Sequence, residues 1–190
     1  MRRWFRSLIA VTVALAALVV PGSPASADSC LDINKTGWHY IEIQNKPGTT
    51  GSKVLDVKAW GTTARTPVQL WHNRINECPS WNQVWRIEDR AGGSYFAIIS
   101  PNGLCLDQSL DIAPHDGAPV YLYPCDVNAV NQWWYVGSTQ FDGHIQFVSA
   151  NDGRCLDVAG YDWRDGAFLQ MWRCIDDRSA WNQAWKWVLI

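Results

Sequence analysis

Trp181-Asn182-Gln183-Ala184-Trp185 stands close to the end of a 190-residue chain, and Trp81-Asn82-Gln83-Val84-Trp85 nearly copies it. A thinner version, Asn131-Gln132-Trp133-Trp134, lies between the two. The shared glutamine recurs after 49 residues, from Gln83 to Gln132, and after 51, from Gln132 to Gln183. Spacing that regular marks an internal repeat, whose units bury a hydrophobic face only by closing on one another.

The segments upstream of each copy follow one order. In the first unit His39-Tyr40-Ile41-Glu42-Ile43 precedes Val54-Leu55-Asp56-Val57, then Pro67-Val68-Gln69-Leu70-Trp71, then residues 81–87. The second runs through residues 95–99, Leu104-Cys105-Leu106-Asp107, Pro119-Val120-Tyr121-Leu122-Tyr123 and residues 131–136. The third has residues 144–148, Arg154-Cys155-Leu156-Asp157-Val158, Phe168-Leu169-Gln170-Met171-Trp172 and residues 181–189. These pieces are short, rich in β-branched and aromatic residues, and bounded by turn formers, which reads as strands. Asp116-Gly117 and Asp165-Gly166 fall where a tight turn is wanted. No helical period competes with this pattern. The expectation is an all-β chain: a β-trefoil of three four-stranded repeats with pseudo-threefold symmetry, at about residues 38–90, 91–138 and 139–190. Cys30-Leu31-Asp32 looks like the start of another unit, but no strand pattern follows it, so we set it aside.

Residues 1–27 read as a secretory signal peptide. Arg2, Arg3 and Arg6 precede an apolar run over residues 8–20, and Ala25-Ser26-Ala27 offers a small-residue cleavage site. The run is short for a membrane span. The expected mature domain is residues 28–190, secreted and without a membrane anchor. Three of the 16 basic residues lie in the leader and none of the 18 acidic ones, so the mature chain carries a net charge near −5. An acidic surface argues against nucleic acid as the partner.

All six cysteines follow the leader, an even count that in an exported chain favours disulfides. Cys105 and Cys125 occupy the ends of the second and third strands of unit two, and Cys155 and Cys174 do the same in unit three. The repeat therefore pairs Cys105 with Cys125 and Cys155 with Cys174; Val54 and Asn73 hold these places in unit one. Cys30 and Cys78 remain, and a bond between them follows by elimination. The four histidines are scattered and no Cys-x-x-Cys occurs, so neither a metal site nor a cofactor is expected.

Three copies of Leu-Asp, a Gln-x-aromatic strand and a closing Gln-x-Trp resemble the ricin B-type lectin family, also called carbohydrate-binding module family 13. The resemblance covers about residues 38–190. It implies a lectin that recognises galactose-type sugars or xylan-like polysaccharide through an Asp, an aromatic ring and an Asn in each repeat. Carried onto this chain, the sites are Asp56, Gln69, Trp71, Asn82 and Gln83 in unit one, and Asp157, Gln170, Trp172, Asn182 and Gln183 in unit three. Unit two keeps Asp107, Asn131 and Gln132 with Tyr123 as its aromatic, but Tyr121 replaces the strand glutamine. The interval from Asp107 to Tyr121 is 14 residues, against 13 from Asp56 to Gln69 and from Asp157 to Gln170.

Physical chemistry supports the assignment. A pyranose offers an apolar C–H face and a rim of hydroxyls, which call for a flat aromatic and a few fixed polar groups. Asp accepts from neighbouring hydroxyls, and Asn both donates and accepts. Gln83, Gln132 and Gln183 serve either as sugar contacts or as braces for the Asp. Trp85, Trp134 and Trp185 read as core. Trp60, Tyr161 and Trp163 follow the Asp on loops and either widen a site or lie on the surface. His72 and His144 have no partner pattern.

Two other function classes compete. Glycoside hydrolysis needs two carboxylates flanking one bond, about 5–10 Å apart, whereas each repeat brings a single Leu-Asp, so no enzyme is expected. A trefoil also serves as an interaction scaffold, such as a protease inhibitor or the cell-binding subunit of a secreted toxin. The inhibitor does not require the Asp–aromatic–Asn sets; the toxin subunit is compatible with them.

Overall fold

The chain is seen in a computed structural model that describes residues 37–74, 76–77 and 80–190. The leader and the Cys30–Cys78 pairing lie outside the described residues. Twelve strands follow in order. The first four are β1 (Trp38–Ile43), β2 (Lys53–Val57), β3 (Val68–His72) and β4 (Trp85–Arg90). Next come β5 (Tyr95–Ile99), β6 (Leu104–Gln108), β7 (Ala118–Pro124) and β8 (Trp134–Gly137). The last four are β9 (Gln146–Ser149), β10 (Cys155–Val158), β11 (Ala167–Trp172) and β12 (Trp185–Leu189).

Pairing sorts these strands into two rings. β1, β4, β5, β8 and β9 pair in succession, β12 pairs β1, and an Ile145–Trp185 bridge returns β9's end to β12. That barrel leaves no open edge to template aggregation. β2–β3, β6–β7 and β10–β11 form three hairpins. They cap the barrel and join one another: β11 pairs both β3 and β7, and Pro67 bridges Tyr121. This is the β-trefoil expected from the repeat.

The fourth segment of each unit divides in a way the apolar pattern did not reveal. Trp81–Gln83, Val130–Gln132 and Trp181–Gln183 each form a single 3-10 turn, and the strand begins afterwards. Gln83 N–H donates to Ser80 O at 3.0 Å and Gln183 N–H to Ala180 O at 3.1 Å, closing the turns. Such turns swing the Asn and Gln side chains back towards the hairpin while the next Trp enters the barrel.

Trp85, Trp134 and Trp185 are fully buried, as expected. Each indole nitrogen donates to the carbonyl of the leucine before the repeated Asp: Leu55 at 3.1 Å, Leu106 at 3.2 Å and Leu156 at 3.0 Å. A buried ring thus loses no hydrogen bond, and core packing is tied to the position of the Asp one residue on. Leu55, Leu106, Leu156, Ile41, Ile98 and Phe147 fill the space between the indoles. The disulfides Cys105–Cys125 and Cys155–Cys174 clamp two of the three hairpins, as the repeat implied.

Candidate functional site

Antiparallel register places Asp56 opposite Gln69, Asp107 opposite Tyr121 and Asp157 opposite Gln170. The extra residue in the middle hairpin is therefore absorbed by its loop, and the 14-residue interval does not displace the pair. In unit one, Asp56 Oδ1 accepts from Gln69 Nε2 at 2.9 Å, and Oδ2 accepts from Asn82 Nδ2 at 2.8 Å and Gln83 Nε2 at 3.0 Å. Unit three repeats this with Gln170 at 2.9 Å, Asn182 at 2.7 Å and Gln183 at 2.9 Å from the Asp157 carboxylate. In unit two Asn131 and Gln132 reach Asp107 Oδ2 at 3.0 and 2.9 Å, while the Tyr121 ring offers no equivalent donor.

Each closing glutamine is spent on bracing. Gln83 also donates to His72 O at 3.0 Å and accepts from Arg74 N–H at 2.8 Å; Gln183 donates to Arg173 O at 3.0 Å and accepts from Ile175 N–H at 2.9 Å. Gln132 does the same with Pro124 O and Asp126 N–H. Of the two roles open to these residues, the geometry is that of a brace joining Asp to the strand end. The asparagines are almost as fully engaged: Asn82 Nδ2 spans Asp56 and Val57 O, and Asn182 Nδ2 spans Asp157 and Val158 O. Their Oδ1 atoms are buried without a partner.

Burial raises all three carboxyls above the ordinary range, working against the amide donors that favour the ionised form. Asp107 and Asp157 are each pushed up to about 6, and Asp56 is raised in the same direction. A concave cleft faces each carboxylate, with volumes of about 280 Å³ at Asp56, 330 Å³ at Asp107 and 420 Å³ at Asp157. Trp71 and Trp60 wall the first, Tyr121 and Tyr123 the second, and Trp172 and Tyr161 the third. Every site residue expected from the sequence is thus brought to one of three equivalent clusters, by contact with the Asp or by lining its cleft.

The loop aromatics divide. Trp60 and Tyr161 stand on cleft rims, whereas Trp163 leans on Trp181 at 5.5 Å and packs against the core. His72, which had no partner pattern in the sequence, has one in space. Asp165 of unit three accepts from its backbone N–H at 2.8 Å and lies 2.7 Å from its Nδ1. Sequence reasoning missed Arg65 and Asp111, which enter the middle cleft. The signal that could have found Arg65 was the repeat alignment, in which it takes the place of Gly117 and Gly166.

Residues 81–172 match the family model described as ricin-type beta-trefoil lectin domain-like. That match spans 92 of the 190 residues and falls within the β-trefoil described above. The beta-galactoside-specific lectin 2 of Viscum album is 34% identical over 86 residues, which are 45% of this chain but 13% of that protein. Among solved structures, the designed threefold-symmetric protein ThreeFoil superposes with a TM-score of 0.68 at 25% identity, over 81% of this chain and 99% of its own. The exo-beta-1,3-galactanase 1,3Gal43A from Clostridium thermocellum reaches 0.67 at 28% identity, over 83% of this chain and 31% of that enzyme. The chain therefore spans a small part of the curated relative and about a third of the galactanase.

Proposed function

We propose that the chain is a secreted, non-catalytic carbohydrate-binding protein, exported through residues 1–27 and active as residues 28–190. Its clusters at Asp56 and Asp157 are the principal sugar sites, and galactose-type sugars or xylan-like chains are their ligands. The observation that carries this reading is the repeated buried carboxylate, braced by two or three amide donors and facing an aromatic-walled cleft. Lone pairs not taken by the amides accept adjacent sugar hydroxyls, and Trp71 or Trp172 covers the apolar pyranose face. The braces hold the carboxylate in its binding geometry before the ligand arrives, which lowers the cost of association. Two sites on one rigid body gain avidity on a polymer whose repeat matches their separation. The names of the Viscum album lectin and the galactanase both point to galactose-containing ligands.

Co-sedimentation of the purified protein with insoluble xylan and with galactose-bearing resin tests the proposal. Retention that free galactose or soluble xylan competes away supports it; passage through both matrices contradicts it.

A further inference from the structure

Each hairpin lends one residue to the next cluster around the threefold axis. Gly166 N–H donates to Leu70 O at 2.8 Å, Gly117 N–H to Met171 O at 2.8 Å, and Arg65 N–H to Leu122 O at 2.6 Å. All three have left-handed backbone, with φ of 84°, 92° and 69°. A Cβ on Gly166 would lie 3.8 Å from the Trp71 ring, and one on Gly117 would lie 3.9 Å from Gln170 Oε1. The position thus looks into the neighbouring unit's cluster, and in one case of the three it carries a side chain. Arginine is placed there in a conformation that L-residues avoid and glycine adopts freely, the kind of local strain that collects at functional positions.

Arg65 places its guanidinium 4.9 Å from the centre of the Tyr121 ring and pairs through both terminal nitrogens with Asp111, one of them at 3.0 Å. Beneath this pair, Asp107 is 4% exposed. Its Oδ2 is held by Asn131 and Gln132, but its Oδ1 has no donor among the described residues, because Tyr121 stands where Gln69 and Gln170 serve the other clusters. The middle cleft is lined by Asp107, Asp111 and Asp126 against the single cation Arg65. The other two are not anionic: Lys58 and Arg74 outweigh Asp56 in the first, and Arg173 balances Asp157 in the third. An unserved, largely desolvated carboxylate oxygen in an anionic, aromatic-walled cleft favours a charged donor over a neutral one.

We propose that the middle cleft takes a sugar bearing an ammonium group, a 2-amino-2-deoxyhexose, whose ammonium donates to Asp107 Oδ1 while its pyranose face lies on Tyr123. Tyr121, which stands in place of the strand glutamine and leaves Asp107 Oδ1 without a donor, is the specificity-determining residue; Arg65, reaching in from the first repeat, holds Asp111 at the rim and covers the Tyr121 face. The inference rests on the reading of the clusters as sugar sites, and it separates the middle one from its neighbours by ligand charge. N-acetylation removes the positive charge and so removes the preference.

The test is an NMR titration of the mature protein with galactosamine and glucosamine, their N-acetyl forms, the parent hexoses and the matching uronic acids. The side-chain amides of Asn131, Asn82 and Asn182 report the three clusters separately. The expected result is an Asn131 response to the amino sugars at concentrations about tenfold lower than for the N-acetyl or parent sugars. Asp107→Asn abolishes that response, and retained responses of Asn82 and Asn182 to galactose show that the variant is folded. Arg65→Gly restores the glycine, removes the cation and tightens amino-sugar binding about threefold. Equal binding of parent and amino sugars at Asn131, a preference for uronic acids, or weaker amino-sugar binding in Arg65→Gly overturns the proposal. So does an equal Asn131 response to N-acetyl-lysine amide, which would make the ligand any ammonium rather than a sugar. No response of any of the three asparagines to any sugar overturns the carbohydrate reading itself, an outcome distinct from these.

Discussion

Gln170 Nε2 lies 2.9 Å from Asp157 Oδ1, across the β10–β11 pair that sets the two residues opposite each other. Gln69 and Asp56 hold the same distance in the first hairpin. This contact fixes the outer oxygen of a buried carboxylate, and a hydrogen bond to a charged group contributes roughly 1.5–3 kcal/mol. Gln170→Ala is expected to lower unfolding free energy by about 1–2 kcal/mol, water replacing part of the lost bond at this half-buried position. Galactoside affinity at the third cluster should also fall about tenfold. Denaturant unfolding and calorimetric titration read the two effects; an unchanged affinity would remove the strand glutamine from the site.

The raised carboxyls predict opposite pH trends for stability and binding. Asp107 and Asp157 titrate at about 6 when folded, against a reference value of 3.8. A group whose folded pKa is raised contributes stability that is fully present below the unfolded value and is lost as pH rises through the folded one. Acidification from about pH 7 to about pH 5 should therefore stabilise the fold through these groups, whereas hydroxyl binding, which needs the ionised carboxylate, should weaken. Asp111, Asp165 and Asp177 are held low by their partners, and Asp162 is held at about 2 by Arg164, so their opposing contributions fall at more acid pH. The check is urea unfolding and sugar titration at matched pH, with Asp107→Asn and Asp157→Asn flattening the stability trend in this window.

Trp134 carries both core volume and a hydrogen bond to Leu106 O at 3.2 Å. Trp134→Ala should cost about 3–5 kcal/mol. It should also loosen the Asp107 cluster, since Leu106 is its neighbour in the chain. Thermal unfolding gives the first quantity, and the Asn131 amide resonance the second.

The disulfides close loops of similar size, with sequence separations of 20 and 19 residues. Loops of this length correspond to about 3 kcal/mol each through restriction of the unfolded chain. Replacing Cys155 and Cys174 together by alanine should lower the unfolding midpoint while leaving the Asp56 cluster's sugar response intact, because that hairpin holds Val54 and Asn73 instead. Melting curves with and without reductant separate the two bridges.

Much of this architecture is legible in the chain because its determinants are local and repeated. The Gln-x-Trp spacing, the Leu-Asp before each hairpin turn and the paired cysteines mark twelve strands and three clusters without any knowledge of their contacts. What escaped depends on closure of the threefold. Arg65 is unremarkable beside Ala64 and Thr66; it acquires its surroundings when β3 meets β7 and Tyr121 comes beneath it. His72 likewise meets Asp165 across a repeat boundary. The turns at Trp81–Gln83 and Trp181–Gln183 were hidden for another reason: an apolar residue in a 3-10 turn and one in a strand look alike in a short window. The bracing role of Gln83 and Gln183 was one of two open readings, and their backbone partners decide it.

The central claim is that the Asp56 and Asp157 clusters bind neutral sugars. A glycan array of the wild-type protein beside the Asp56→Ala/Asp157→Ala double variant, followed by calorimetric titration with the best galactoside or xylan fragment, tests it most directly. The account predicts that the double variant loses neutral-glycan binding while remaining folded, with each single variant retaining about one half of the sites. Wild-type affinity and stoichiometry in the double variant would contradict it.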